Sequence, residues 1–141
     1  MSISTYLTFN GNCREAFEFY RAVFGTEFTV LSTFAEAPED MKVPAGDRDK
    51  VMHVTLPIGS SVLMGSDNDP TGPPAVIGSN FSISVDTEGR QESDDLVGRL
   101  SDGGTVSMPM QETFWGSYFG MCTDKFGINW MVSCHLSTTS T

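Results

Sequence analysis

The sequence predicts an α+β fold in which one strand-rich module is used twice to form a curved sheet around a cleft. Three observations carry this prediction. The same punctuation of strand, helix, glycine stop and hairpin runs from STYLTFNGNCREAFEFYRAVFG to VMHVTLPIGSSVLMGSD, and again from SNFSISVDTEGRQESDDLVGRLSDGG to SYFGMCTDKFGINWMVS. Ala16, Phe17, Phe19, Tyr20, Val23 and Phe24 recur with helical period and make a wide apolar stripe. The strands are two-faced. Met52, Val54 and Leu56 alternate with His53 and Thr55, and Phe81, Ile83 and Val85 alternate with Asn80, Ser82 and Ser84. One face would cover a helix, and the other, small and polar with Asn129 and Ser133, would line a wet cleft.

Each element has its own signal. Ile3 to Phe9 reads as a strand. Asn12 with Glu15 three residues on has capping-box spacing at the start of the helix, and Gly25 supplies its left-handed stop. Phe28 to Phe34 is a second strand. Residues 35–50, with Pro38, Pro44 and Gly46, read as a long loop with one helical turn. Val51 to Leu56 and Ser61 to Ser66 form a hairpin around Pro57 to Ser60. Residues 68–78 are the linker, in a stretch rich in proline and glycine. Asn80 to Asp86 opens the second module. A weaker helix follows near Glu92 to Ser101, with Leu96, Val97 and Leu100 inward and Gly103-Gly104 as its stop. Thr105 to Met108 is a short strand. Trp115 to Thr123 and Asn129 to Cys134 form the last hairpin around residues 124–127. The chain is thus expected to be one domain, 1–141, with modules 1–67 and 79–135 and a disordered tail at 136–141.

Bulk properties narrow the function. At 141 residues the chain is long enough for one domain with a real core. The net charge of −10 repels phosphate backbones and anionic membranes, so nucleic-acid and membrane partners are not expected. No apolar run approaches the roughly 20 residues of a membrane helix. MSISTYL lacks the basic and apolar regions of a secretory signal, so the cytoplasm is the expected location. Cys13, Cys122 and Cys134 are odd in number and include no C-x-x-C pair, which argues against a disulfide framework or a structural zinc site.

The stretches YLTFNGNCREAFEFYRAVFG, MHVTLPIGSSVLMGSD and TFWGSYFGMCTDKFGINWMVS resemble the PhnB-like branch of the vicinal oxygen chelate superfamily, which includes glyoxalase I, bleomycin-resistance proteins and extradiol dioxygenases. The resemblance implies two βαβββ modules, a homodimer and a small-molecule pocket. Superfamily enzymes hold a divalent metal with His, Gln or Glu from four strands. Carried across by motif, those positions are Thr5, Met64, Asn80 and Met131. Their thioethers, hydroxyl and amide suit such an ion poorly, so no metal and no other cofactor is expected. Some relatives carry a demethylubiquinone methyltransferase label. The chain has no G-x-G-x-x-G after a strand, so that label has no support in the residues.

The candidate ligand-binding cleft comprises Thr5, His53, Thr55, Met64, Asn80, Ser82, Trp115, Tyr118 and Met131. His53 is the only catalytic candidate, as base or ligand donor. The competing reading is a hydrogen-bonded sheet histidine. Cys13 sits near a helix start that can lower a thiol pKa, against the plainer reading of a small buried cysteine. Cys134 and His135 are adjacent in a strand, so they point to opposite faces and make no dyad. Asp67 to Gly72 resembles the start of a calcium loop, but Gly78 stands where the bidentate Glu belongs, and a turn is expected. Trp115, Tyr118 and Phe119 suit either a cavity cover or ordinary packing. Met64, Met110, Met121 and Met131 would make a pliable wall. The leading expectation is a metal-free protein that binds a small organic molecule. The alternatives are a metal-dependent lyase, isomerase or dioxygenase with non-standard ligands, and a dimeric interaction module without a ligand.

Overall fold

The computed structural model of the chain describes residues 1–136. They divide into two compact units, Met1–Val76 and a second starting at Ile77. Unit 1 runs β1 (Thr5–Phe9), α1 (Cys13–Phe24), β2 (Val30–Thr33), β3 (Val51–Ile58) and β4 (Ser61–Asp67). Unit 2 runs β5 (Ile83–Asp86), α2 (Arg90–Leu100), β6 (Thr105–Glu112), β7 (Ser117–Thr123) and β8 (Asn129–His135). Each is a βαβββ unit with its own four-stranded mixed sheet, ordered β1-β4-β3-β2 and β5-β8-β7-β6. In both sheets the first strand pairs in parallel with the last, and the remaining pairs are antiparallel.

The apolar stripe of α1 becomes the core of unit 1. Cys13, Ala16, Phe17, Tyr20 and Val23 are buried, facing Leu7, Phe9, Val54, Leu56 and Leu63 of the sheet. Phe17 makes edge contacts with Phe9 and Tyr20, at centroid distances of 6.2 and 5.5 Å. It lies so close over β4 that a Cβ on Gly65 would stand 2.6 Å from its ring. Glycine is therefore required there by close approach, not by a turn. Gly25 does end α1 in the left-handed region, at φ 67°, and its N–H donates to Arg21 O.

The N-terminus of α1 differs from the expected capping box. Asn12 makes no side-chain cap. The cap comes from Asp67, at the far end of β4. Its Oδ1 accepts the Gly11 and Cys13 amides and its Oδ2 accepts the Val51 amide, all at 2.9 Å. A buried carboxylate meets the positive end of the helix more strongly than an amide side chain would. Asp67 is thus a structural anchor and not the first residue of a calcium loop. Asp69, behind it, accepts the Thr71 amide and hydroxyl and closes a turn.

Other boundaries shift for local reasons. β1, β2 and β5 begin two or three residues later than the periodicity suggested, so Phe81, expected inward, is exposed. The loop after β2 holds three short 3-10 turns, Phe34–Glu36, Glu39–Met41 and Ala45–Asp47, where one was expected. α2 starts at Arg90, its first turn held by Ser93, whose hydroxyl meets Thr87 Oγ1 at 2.5 Å and Gly89 O at 3.1 Å. β6 is twice its expected length and continues through Pro109, which an edge strand with irregular register tolerates. In the β7–β8 turn the buried Asp124 accepts the Phe126 and Ile128 amides on Oδ1 and Trp130 Nε1 on Oδ2. Of the tail, Leu136 donates its N–H to Gly116 O, and the expectation of disorder for 137–141 lies outside the described residues.

Replacing Asp67 with Ala strands three amides, and the two buried ones, at about 1–3 kcal/mol each, set the expected loss at roughly 2–6 kcal/mol. Asp67→Asn, which keeps one carbonyl acceptor, is expected to fall between. Urea unfolding of the two variants and the parent checks this, and a loss under about 1 kcal/mol for Asp67→Ala would refute the anchoring role.

Candidate functional site

Helix α1 covers one face of the first sheet and α2 one face of the second. The candidate site residues are those on the opposite faces, bare of a helix and half-buried at His53, Thr55, Met64, Met121 and Met131. In unit 1 the register runs Tyr6 to Met64 to Thr55 to Val30 across β1, β4, β3 and β2, and His53 stands on the same face opposite Ser32. Both ring nitrogens of His53 are engaged. Nε2 lies 2.8 Å from Thr55 Oγ1, and Nδ1 lies 3.4 Å from Tyr6 Oη. A hydroxyl can donate or accept, so either imidazole tautomer is satisfied. Tyr6 also leans its ring on the imidazole, at 5.7 Å between centroids. This is the hydrogen-bonded sheet histidine of the two readings, although its edge remains half-buried and not sealed.

In unit 2 three cross-strand rows share the bare face. Thr105, Thr123 and Asn129 form a polar row, with Thr123 Oγ1 donating to Asn129 Oδ1 at 2.7 Å. Met108, Met121, Met131 and Ser84 form the middle row. Gln111, Phe119, Ser133 and Asp86 form the third, where Ser133 Oγ donates to Asp86 at 3.0 Å. Trp115, on the β6–β7 connection, lies 5.9 Å from Phe119 at 68° and is 58% exposed.

The structure therefore sorts the expected site residues. His53, Thr55 and Met64 share the bare face of unit 1, and Met131 is on that of unit 2. Thr5 does not join them: it pairs with Leu63 and alternates with buried Leu7 and Phe9, which places it on the helix side. Tyr6 takes its place, and the alternation of Leu7 and Phe9 was the signal that could have shown it. Asn80 and Ser82 precede β5, and Ser84 is the cross-strand neighbour of Met131. Tyr118 is on the helix side, where its hydroxyl donates to Asp94 of α2 at 2.7 Å and Arg90 stacks over its ring. That bond to Asp94 holds the phenol above its ordinary range. Met110 is not wall but cover, its Sδ standing where a Cβ on Gly120 would fall. Met108, which the sequence reading passed over, faces the site.

The superfamily's divalent ion was tested against these side chains. On the faces away from the helices, Tyr6 neighbours Met64 in unit 1 and Ser84 neighbours Met131 in unit 2. They offer a phenol, a hydroxyl and two thioethers. Soft, neutral sulfurs cannot replace the hydration of a hard or borderline ion, so the set does not fit one. Among the described residues no group of three or more His, Cys, Asp or Glu is placed to hold a metal. The cysteines are free and buried. Burial, and then the charge of Asp67, pushes the Cys13 thiol far up, and burial with Asp124 pushes Cys122 up to about 11. Neither is a nucleophile at neutral pH.

Comparison with known proteins agrees with this geometry. The family model described as 3-demethylubiquinone-9 3-methyltransferase matches residues 1–133. Protein YjdN of Escherichia coli K12 is 33% identical over 141 residues, covering 94% of this chain and 95% of its own. The crystal structure of PA1353 from Pseudomonas aeruginosa is 43% identical, covers 97% of this chain and 99% of its own, and superposes with a TM-score of 0.85. A PhnB protein of Bacillus cereus, a putative 3-demethylubiquinone-9 3-methyltransferase by its description, shares the fold at 24% identity and a TM-score of 0.77, over 95% of this chain and 99% of its own. The chain belongs to the family of that model, and its fold is shared with a glyoxalase/bleomycin resistance protein/dioxygenase family enzyme of Burkholderia phytofirmans, 18% identical with a TM-score of 0.65 over 94% of this chain and 98% of that one.

The methyl donor that the family description implies does not fit the residues present. Neither βα connection is a glycine-rich loop. The donor amides at the start of α1 are held by Asp67, and the Glu88 amide ahead of α2 is taken by Glu92. Amides that such a ligand's polar groups would use, those of Gly11, Cys13 and Glu88, are thus already engaged.

The raised thiols give a pH prediction. Between the ordinary thiol value near 9.0 and the folded values, the unfolded chain has lost protons that the native chain keeps. Stability is therefore full below about pH 9 and falls as pH rises from 9 to 11. Denaturation midpoints at pH 8, 9.5 and 10.5 for the parent and a Cys13→Ala/Cys122→Ala variant check this, the variant losing less across the range.

Proposed function

We propose that this PhnB-like protein binds a small organic molecule on the bare faces of its sheets and does so without a divalent metal. The observation that carries the reading is the pair Met64 and Met131. Both stand at strand positions that the superfamily resemblance assigns to metal ligands, each beside a neutral hydroxyl-bearing neighbour. A thioether with a flexible stem makes a compliant apolar contact and a poor divalent ligand. On the first sheet the hydroxyls of Tyr6 and Thr55 can orient a ligand; on the second the hydroxyl of Ser84 and the amide of Asn129 can do so, with Trp115 and Phe119 as a surface for stacking. Action in the cytoplasm as a homodimer belongs to the same proposal. It is in keeping with three free thiols and with the edge strands β2 and β6, where Val30, Leu31 and Val106 are exposed. No helix among the described residues is long and apolar enough to cross a membrane.

A second reading, a lyase, isomerase or dioxygenase with non-standard ligands, draws on His53, whose imidazole stands between two hydroxyls. One imidazole falls short of the about three protein ligands that a catalytic metal takes.

Elemental analysis after exhaustive dialysis separates the two. The expected result is less than about one-tenth of an equivalent of zinc, nickel, iron or manganese, with no thermal stabilisation when these are added back, and a saturable shift with at least one compound of a small-molecule library. About one equivalent of bound ion, lost in His53→Ala, would overturn the metal-free reading in favour of the enzyme.

A further inference from the structure

The bare face of unit 2 has a sign and a shape that narrow the ligand. Met108, Met121 and Met131 stand side by side across three adjacent strands. This polarizable band suits the face of an aromatic ring. Beside it Phe119 and Trp115 meet at 68°, with more than half of Trp115 exposed. At the other end of the same row stands Asp86, paired through Ser133 with Phe119. Two strand spacings, roughly 10 Å, separate the phenyl ring from the carboxylate. Asp86 is exposed and receives a hydrogen bond from Ser133 Oγ, which leaves acceptor capacity on its oxygens.

The strands of unit 2 carry no lysine or arginine on this face. In unit 2, Arg90 and Arg99 belong to α2, with Arg90 bound to Glu112, and Lys125 belongs to the β7–β8 turn. The chain as a whole carries −10. An anion brought to this face meets repulsion from both the near and the distant charge, and a cation meets attraction.

We infer that the ligand is a planar aromatic cation. Its ring lies on the methionine band against Trp115 and Phe119, and its protonated amine lies toward Asp86. The inference rests on the small-molecule reading above and adds the chemical class.

Three probes with one ring system test it on the full chain by calorimetry and tryptophan fluorescence: 2-naphthylmethylammonium, 2-naphthylmethanol and 2-naphthoate. The ammonium is expected to bind tightest, about tenfold or more ahead of the carboxylate. Trp115→Ala is expected to weaken the ammonium and the alcohol alike, by about three- to tenfold, and to remove the fluorescence change. Asp86→Asn is expected to spare the alcohol and abolish the ammonium's advantage. Both positions are exposed, so neither variant threatens the fold. A carboxylate that binds as well as the ammonium, or an ammonium no better than the alcohol, overturns the inference. So does a library compound that binds while all three probes fail, although it leaves the small-molecule reading standing. A library with no binder at all defeats that reading and the inference with it.

Discussion

The carboxylate of Asp67 is the constraint on which unit 1 depends. It closes β4, and from that one point it holds the loop ahead of α1, the first amide of the helix and the first amide of β3. Three segments far apart in sequence meet on two oxygen atoms. The arrangement explains why α1 lies where Phe17 presses on Gly65, because the start of the helix is fixed to the end of the strand beneath it. It also explains why Cys13 is inert. The same carboxylate that receives its amide raises the cost of a thiolate beside it.

Asp124 serves unit 2 by the same chemistry at a different place in the topology. It ties the β7–β8 turn to the indole of Trp130, the largest fully buried side chain of the protein. In both units a buried acid accepts N–H donors of the backbone or of an indole. Such acids are bound into the backbone and are unavailable as metal ligands or bases. An acidic chain can thus lack the carboxylates that a superfamily metal centre would need.

What remains on the bare faces is soft and, apart from the carboxylate of Asp86, neutral. The helix sides took the phenol of Tyr118 and the thioether of Met110, and the bare sides kept Tyr6, His53, Met64, Met108, Met121 and Met131. Pleat parity made that division. A strand places neighbours on opposite faces, so a shift of one residue moves a side chain from core to site. Thr5 and Tyr6 show this most plainly, since the choice between a hydroxyl on the helix side and a phenol over His53 turns on a single position.

The sequence by itself determined the α+β class, the doubled unit, both helices, the glycine stop at Gly25 and the strands that carry the core. These follow from local periodicity and residue chemistry, which short-range geometry translates directly. Only the tertiary structure decided the cap at Asp67, the passage of β6 through Pro109, the opposed placements of Thr5 and Tyr118, and the alignment of Met108 with Met121 and Met131. Each depends on register between strands or on a partner more than ten residues away. In the sequence, Asp67 is one more polar residue before a proline-rich stretch, and Met108 is the end of a short strand. The role of each exists only once a distant backbone amide or a neighbouring strand is brought within a few ångströms.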